Sequence, residues 1–227
     1  MSDRRRPRER DVQLSERTKI EGRFGMVLLL LISAVFFSIA APDEPWALLA
    51  TTVVLALTLS IAMWASGVQP KVVRAWLGFA VLSIGVSIVI AVTEAARLAS
   101  GDLAIPSLLL TLVTMGAVAR RIWLHVDISL ITVLGALCIY VLLGLSFAFV
   151  FNAVGNLGPQ PFFASQERGT RSDYIYFSFI TIATVGYGDL TPQAGLGRAL
   201  AVTEGLLGQI YLVTAVAALV SNIGRRR

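Results

Sequence analysis

Charge is scarce in this chain. Asp, Glu, Lys and Arg make up 15% of its 227 residues and hydrophobic residues 56%, a balance that excludes a disordered chain and is too apolar for an ordinary soluble domain. Cysteine and histidine are scarcer still, with one of each, Cys138 and His125. A single cysteine excludes a disulfide or a cysteine metal site within the chain. The sequence also lacks a phosphate-binding glycine loop, a catalytic triad and a zinc-ligand spacing, so an enzyme is not expected. His125 sits at the edge of an apolar stretch, as a passive anchor or as a group that titrates near neutral pH.

What the chain has instead is apolar length. Six stretches, 26–41, 46–66, 75–97, 103–119, 128–151 and 196–223, mostly approach the roughly 20 residues that a helix needs to cross a bilayer. The first has a poor cleavage pattern, so an uncleaved span is the expectation rather than a secretory leader. The basic residues alternate between connections. Arg4, Arg5, Arg6, Arg8, Arg10, Arg17, Lys19, Arg23, Lys71, Arg74, Arg120, Arg121, Arg225, Arg226 and Arg227 fall on one side; Arg97, Arg168, Arg171 and Arg198 fall on the other, with Asp43, Glu44, Asp102 and Glu167. The positive-inside bias then puts both termini in the cytoplasm and the loop 152–195 outside. The net charge of +5 comes with no nucleic-acid-binding motif, so no nucleic-acid partner is expected. Residues 1–22 read as a basic arm that meets anionic headgroups, at about 1 kcal/mol per basic residue near the surface.

One short interruption carries the chemistry. Thr184-Val185-Gly186-Tyr187-Gly188 is followed at once by Asp189, and two glycines one residue apart admit dihedrals that most L-residues cannot hold. Successive carbonyls can then point to one side of the strand. Upstream, 172–183 has the length of a short helix opened by Ser172 or Asp173 as a cap. Its carbonyl end would favour a cation by about 0.3–1 kcal/mol at an exposed site. Irregular backbone at membrane depth is tolerated only where protein or a water-filled cavity surrounds it, which suits a re-entrant loop. The segment from Asn152 to Ser172, rich in Gly, Pro and polar residues, reads as an extracellular turret.

This run resembles the selectivity filter of the potassium channel family. The resemblance implies K+ binding at Thr184, Val185, Gly186, Tyr187 and Gly188, with Thr181 and Asp189 supporting the loop, and K+ as the permeant ligand with no other cofactor. It also implies a homotetramer with the ion path on its axis. The expected fold is an all-α membrane protein of the cell membrane: six transmembrane helices plus a re-entrant pore helix and selectivity filter, in a tetrameric channel. Its parts are a cytoplasmic arm 1–22, a four-helix module 23–124 of voltage-sensor-like topology without gating charges, and a pore domain 125–227. In the pore domain 128–151 resembles the outer helix and 196–223 the inner one.

Inside the inner stretch, Gly208 coincides with the family's hinge glycine and Gly205 lies one turn before it. Two readings stay open, a hinge or close packing against the pore helix. The same alignment turns Leu212, Val216, Ala217 and Val220 toward the conduction path, with Val216 and Val220 as an inner gate, joined by Ile223, that closes by dewetting. Many relatives carry a Glu behind the filter in the pore helix, and this chain has Ile180 there. Glu204 is an intramembrane acid, costly by about 2.5–3.5 kcal/mol when ionised; it either substitutes for the missing Glu or bonds a nearby Ser or Thr for structural reasons. Residues 103–119 have no Lys or Arg, so steep voltage gating is not expected. Four residues follow Ile223, and no appended regulatory domain is expected. The function expected is passive K+-selective conduction, gated by inner-helix bending or at the filter. A weakly selective cation channel, a transporter and a nonconducting accessory subunit are the alternatives; the transporter lacks the paired broken helices of internal repeats.

Overall fold

The computed structural model describes residues 24–42, 45–67, 69–92, 104–123, 130–165, 169–193 and 195–223. The expectations for the arm 1–22, for Arg23, for His125, and for Asp43, Glu44, Arg97, Asp102, Glu167, Arg168 and Arg225 to Arg227 fall outside these residues. The described residues fold into α1 (Phe24–Ala40), α2 (Pro45–Ala65), α3 (Pro70–Val92), α4 (Ala104–Trp123), α5 (Leu130–Leu157), α6 (Arg171–Ile182) and α7 (Gly195–Ile223). Their only β pairing is an isolated bridge between Phe163 and Pro192. The described residues are all-α. Among the described residues, α4, α5 from Thr132 and α7 to Ala218 are long and apolar enough to cross a membrane, and Phe24–Ala40 and Leu49–Ala65 are shorter apolar helices.

Several helix boundaries differ from the sequence expectation; α4 runs on to Trp123 and takes in Arg120 and Arg121, and two others have a local reason. Proline opens both α2 and α3, because a first-turn position has no intrahelical acceptor for the N–H that proline lacks. Lys71 and Arg74 therefore lie within α3 rather than in the connection before it. At the other end, α5 runs on to Leu157, so the turret begins after it rather than at Asn152. Asn152 is buried, and Asn156 donates through Nδ2 to the Asn152 carbonyl at 2.8 Å and also to its side-chain oxygen. The helix satisfies these amides itself, and they do not end it.

The main core joins α1, α2, α4 and α5 through Phe24, Leu31, Leu55, Leu59, Met63, Val118, Leu142 and Leu145. Each such side chain contributes about 1.5–3 kcal/mol relative to exposure. Hydroxyls on these apolar helices bond the carbonyl four residues back, as in Ser38 to Ala34, Thr114 to Leu110 and Ser146 to Leu142, which removes the cost of burying an unpaired polar group. Helix α5 is the hub, packed against α4, α6 and α7.

A second cluster of Phe151, Phe162, Phe163, Tyr174 and Phe177 fixes the turret over the start of α6. Phe163 stacks on Tyr174 with centroids 5.1 Å apart, and Phe177 meets Phe151 edge-on at 5.1 Å. The start of α6 is also tied to the front helices. Arg171 Nη1 donates to Thr52 Oγ1 at 3.0 Å and Thr51 Oγ1 at 3.3 Å, its guanidinium lies 5.8 Å from the Phe149 ring centre, and Ser172 Oγ donates to the Ile39 carbonyl at 2.8 Å.

Candidate ion-conduction site

The site grows from the ends of α6. Its N-cap is Thr170, two residues before the expected Ser172. The Thr170 hydroxyl accepts from Asp173 N, and Asp173 Oδ2 accepts from Thr170 N at 2.8 Å. This reciprocal pair satisfies two of the free first-turn donors, and the Asp173 carboxylate suits the positive end of the helix. A cap of this kind contributes about 1 kcal/mol.

At the other end the chain turns straight into the loop. Ala183 N donates to Phe179 O at 3.1 Å, Thr184 N to Thr181 O at 2.9 Å, and Val185 N and Gly186 N both to Ile180 O at 2.8 and 3.2 Å. The Tyr140 hydroxyl on α5 donates to Ile182 O at 3.0 Å. The loop is thus hung from the last carbonyls of α6.

The loop backbone alternates hand. Thr184, Gly186 and Gly188 have φ of 56°, 53° and 80°, and Val185 and Tyr187 between them do not have positive φ. In an extended strand successive carbonyls point to opposite sides, and reversing the hand at every second residue brings them to the same side. Glycine takes positive φ at little cost, whereas a branched L-residue such as Thr184 is strained by about 1–2 kcal/mol. Thr184 is the one non-glycine residue with positive φ among the described residues, and such strain clusters at functional sites. Residues 183–189 are exposed in the single chain, Val185 by 50% and Tyr187 by 73%.

The outer end of the loop is braced. Tyr176 on α6 donates its hydroxyl to Asp189 Oδ2 at 2.8 Å, and this bond raises the phenol above its ordinary pKa. Beyond Asp189, Ala164 N donates to Thr191 O at 2.9 Å and Gln193 N to Phe162 O at 2.8 Å, which ties the exit strand to the turret. Arg198 Nε donates to Pro192 O at 3.2 Å. Sequence reading missed Tyr176; its signal was a phenol on a short helix thirteen residues before a carboxylate.

Behind the loop stands α7. A Cβ on Gly208 would lie 2.5 Å from Ile182 Cγ1 and 3.2 Å from Ile182 O, whereas one on Gly205 would meet nothing within 4 Å. Close approach to the end of α6 thus gives Gly208 a packing reason of its own. Glu204 is fully buried, with Oε1 2.5 Å from Ser178 Oγ on α6, whereas Asp189 is held by Tyr176. Gln209, also missed from sequence, brings Nε2 to 3.5 Å from Thr184 Oγ1. Further along, Leu212, Val216 and Ala217 are exposed in the single chain. Val220 and Ile223 lie on α7, but their side chains are outside the described set. The structure thus brings Thr181, residues 184–189, Glu204 and Gly208 to the C-terminal half of α6 and its loop, while Gly205 has open space where a Cβ would stand and Val216 is half exposed. Among the described residues no group of three or more His, Cys, Asp or Glu side chains gathers to hold a metal ion.

A family model described as "Ion channel" matches residues 137–225, which hold most of α5, all of α6 and its loop, and α7. The chain is 38% identical over 96 residues to Protein LctB of Bacillus caldotenax, covering 42% of this chain and 65% of that one. It is 35% identical over 106 residues to Protein LctB of Geobacillus stearothermophilus, covering 46% of this chain and 74% of that one. Neither name states an activity. The human potassium voltage-gated channel subfamily KQT member 3 is 36% identical over 58 residues, 26% of this chain and 7% of that much longer protein. On the model match across the helix–loop–helix unit, and on these relatives, the chain belongs to the potassium channel family of ion channels.

Proposed function

We propose that the chain is one subunit of a homotetrameric, potassium-selective channel that conducts K+ passively across the cell membrane. Thr184, Val185, Gly186, Tyr187 and Gly188 supply the ion-coordinating oxygens. Four copies of the loop around one axis would stack rings of carbonyls, with the Thr184 hydroxyl as the innermost, in place of the lost hydration shell. The observation that carries this reading is the positive φ at Thr184, Gly186 and Gly188, the backbone state that aims neighbouring carbonyls the same way. Tyr176 and Asp189 hold its outer end, and Thr181 its inner end through the main chain.

The assembly reading is supported by α7. Its apolar side chains Leu206, Leu207, Ile210 and Val213 are exposed in the single chain, as expected of a helix whose neighbours are other subunits and lipid. Six spans with both termini in the cytoplasm fit the alternation of basic residues along the chain, at helix ends as well as in connections. In α4 the basic residues are Arg120 and Arg121 in the last turn, where they act as an anchor rather than as gating charges, so opening is not steeply voltage-dependent. Gating falls to bending of α7 near Gly205 and Gly208, to the filter, or to a hydrophobic closure at Val216 and Val220. The arm 1–22 meets anionic lipid through its charge.

The test is ion flux into liposomes that hold the purified protein. Potassium flux well above sodium flux, blocked by barium, is the expected result. Equal fluxes would replace the reading with a weakly selective cation channel, and no flux with a nonconducting subunit. For the closure, Val220→Asn should raise open probability, and an unchanged open probability would remove Val220 from the gate.

A further inference from the structure

Two short contacts meet at one buried hydroxyl. Ser178 Oγ lies 2.6 Å from the Gly144 carbonyl on α5 and 2.5 Å from Glu204 Oε1 on α7. Ser178 and Glu204 are both fully buried. A serine hydroxyl has one proton to donate, and a main-chain carbonyl has none. Three oxygens at these two separations need two protons between them, since two acceptors pressed to such a distance with no hydrogen between repel. The second proton can come only from the carboxyl group.

Burial points the same way. Glu204 Oε2 is buried without a hydrogen-bond partner among the described residues. An orphan oxygen costs a neutral acid far less than it costs an ionised carboxylate, which demands several donors when removed from water. From α6 the facing group is Ser178, which does not titrate near neutral pH; from α5 the titratable group in electrostatic reach is Tyr140, whose own proton is committed to Ile182 O. Gly144 is itself shaped for the contact, since a Cβ there would sit 3.2 Å from the Phe179 ring.

We propose that Glu204 is held as an uncharged carboxylic acid that donates to Ser178 Oγ, which in turn donates to the Gly144 carbonyl, so that one proton relay locks α7, α6 and α5 together behind the candidate filter. The inference rests on residues 184–188 being that filter. Glu204 is then a positioning residue, acting through Ser178 on the helix whose Ile180 carbonyl holds Val185 N and Gly186 N. Loss of the proton at alkaline pH leaves Ser178 one donor for two acceptors, and the lock opens. Potassium flux therefore falls as pH rises.

The experiment pairs infrared difference spectroscopy of the full-length protein in lipid with potassium flux across a pH series. The wild type should show the band of a protonated buried carboxyl near neutral pH, lost in Glu204→Gln, and shifted in Ser178→Ala, where its acceptor is gone. Glu204→Gln, whose amide can donate to Ser178, should keep neutral-pH flux within about threefold and lose the alkaline fall; Glu204→Ala should lower flux by about tenfold, the order of effect of orphaning a buried hydrogen-bonding group. A spectrum without the protonated band in the wild type overturns the proposal, as does a Glu204→Gln channel that assembles but is as impaired as Glu204→Ala. Because the band does not depend on conduction, its presence in a protein that passes no potassium would sink the filter reading and leave the relay standing.

Discussion

Helices α5 and α7 are both long and apolar, yet the chain treats them differently. Of the most apolar 18-residue stretch, half is buried in α5 and 11% in α7. Helix α5 finds its neighbours at home, in α1, α4 and α6. Helix α7 touches α5 and α6 along one side and leaves Val202, Leu206, Ile210 and Val213 uncovered. The two therefore answer to different environments: α5 is held by the fold of its own subunit, and α7 by whatever surrounds that subunit. The loop between them follows α7, with Val185 and Tyr187 bare.

The largest effect should come from the loop that the bare side presents. Gly186→Ala puts a Cβ on a residue with φ of 53°, at about 1–2 kcal/mol in each subunit. Potassium flux in liposomes should be abolished while the subunit still folds, as judged by circular dichroism. Next come the helices themselves. Leu142→Ala on α5, fully buried, should destabilise the subunit by about 2–5 kcal/mol, seen as a lower melting temperature in detergent at unchanged oligomeric mass. Leu206→Ala on α7, 59% exposed, should do the reverse, weakening the oligomer on native mass measurement with little effect on secondary structure. If both lowered subunit stability equally, the contrast would be gone.

The two glycines of α7 sharpen it further. Gly208→Ala must push against Ile182 at 2.5 Å, and overpacking of this kind costs about 1–3 kcal/mol. Gly205→Ala meets nothing in the chain, so a gain of helix propensity by about 0.8–1 kcal/mol should dominate. Reduced opening in Gly205→Ala despite that gain would mark a hinge there. Smallest is Tyr176→Phe, which removes one exposed hydrogen bond to Asp189. Solvent screens this bond, so the loss is small, and it should shorten single-channel open bursts rather than stop conduction.

Much of this was legible residue by residue. The glycine spacing at 186 and 188 called for positive φ, and the structure has it, together with the same conformation at Thr184, which no propensity would have suggested. A short capped helix before the loop was legible too, although the cap is Thr170 and not Ser172, because Thr170 and Asp173 form a reciprocal pair whose strength depends on both members. The end of α5 was read too early at Asn152, since polar composition cannot tell a loop from a helix that bonds its own amides. For Glu204 the sequence offered two roles, and its partner, Ser178 on α6, was visible only in the structure.

What the order of residues determined alone is what depends on near neighbours: apolar lengths fit for a bilayer, a short capped helix before the loop, and a backbone free to alternate hand between two glycines. Tertiary structure decided the pairings across distance, Arg171 with Thr52, Tyr176 with Asp189, Ser178 with Glu204, and Gly208 against Ile182. The physical reason is rotational. Helices that are apolar on every side, as α5 and α7 are, offer no periodic polar face to fix which residues turn inward, and that choice is made only when close packing brings one helix against another.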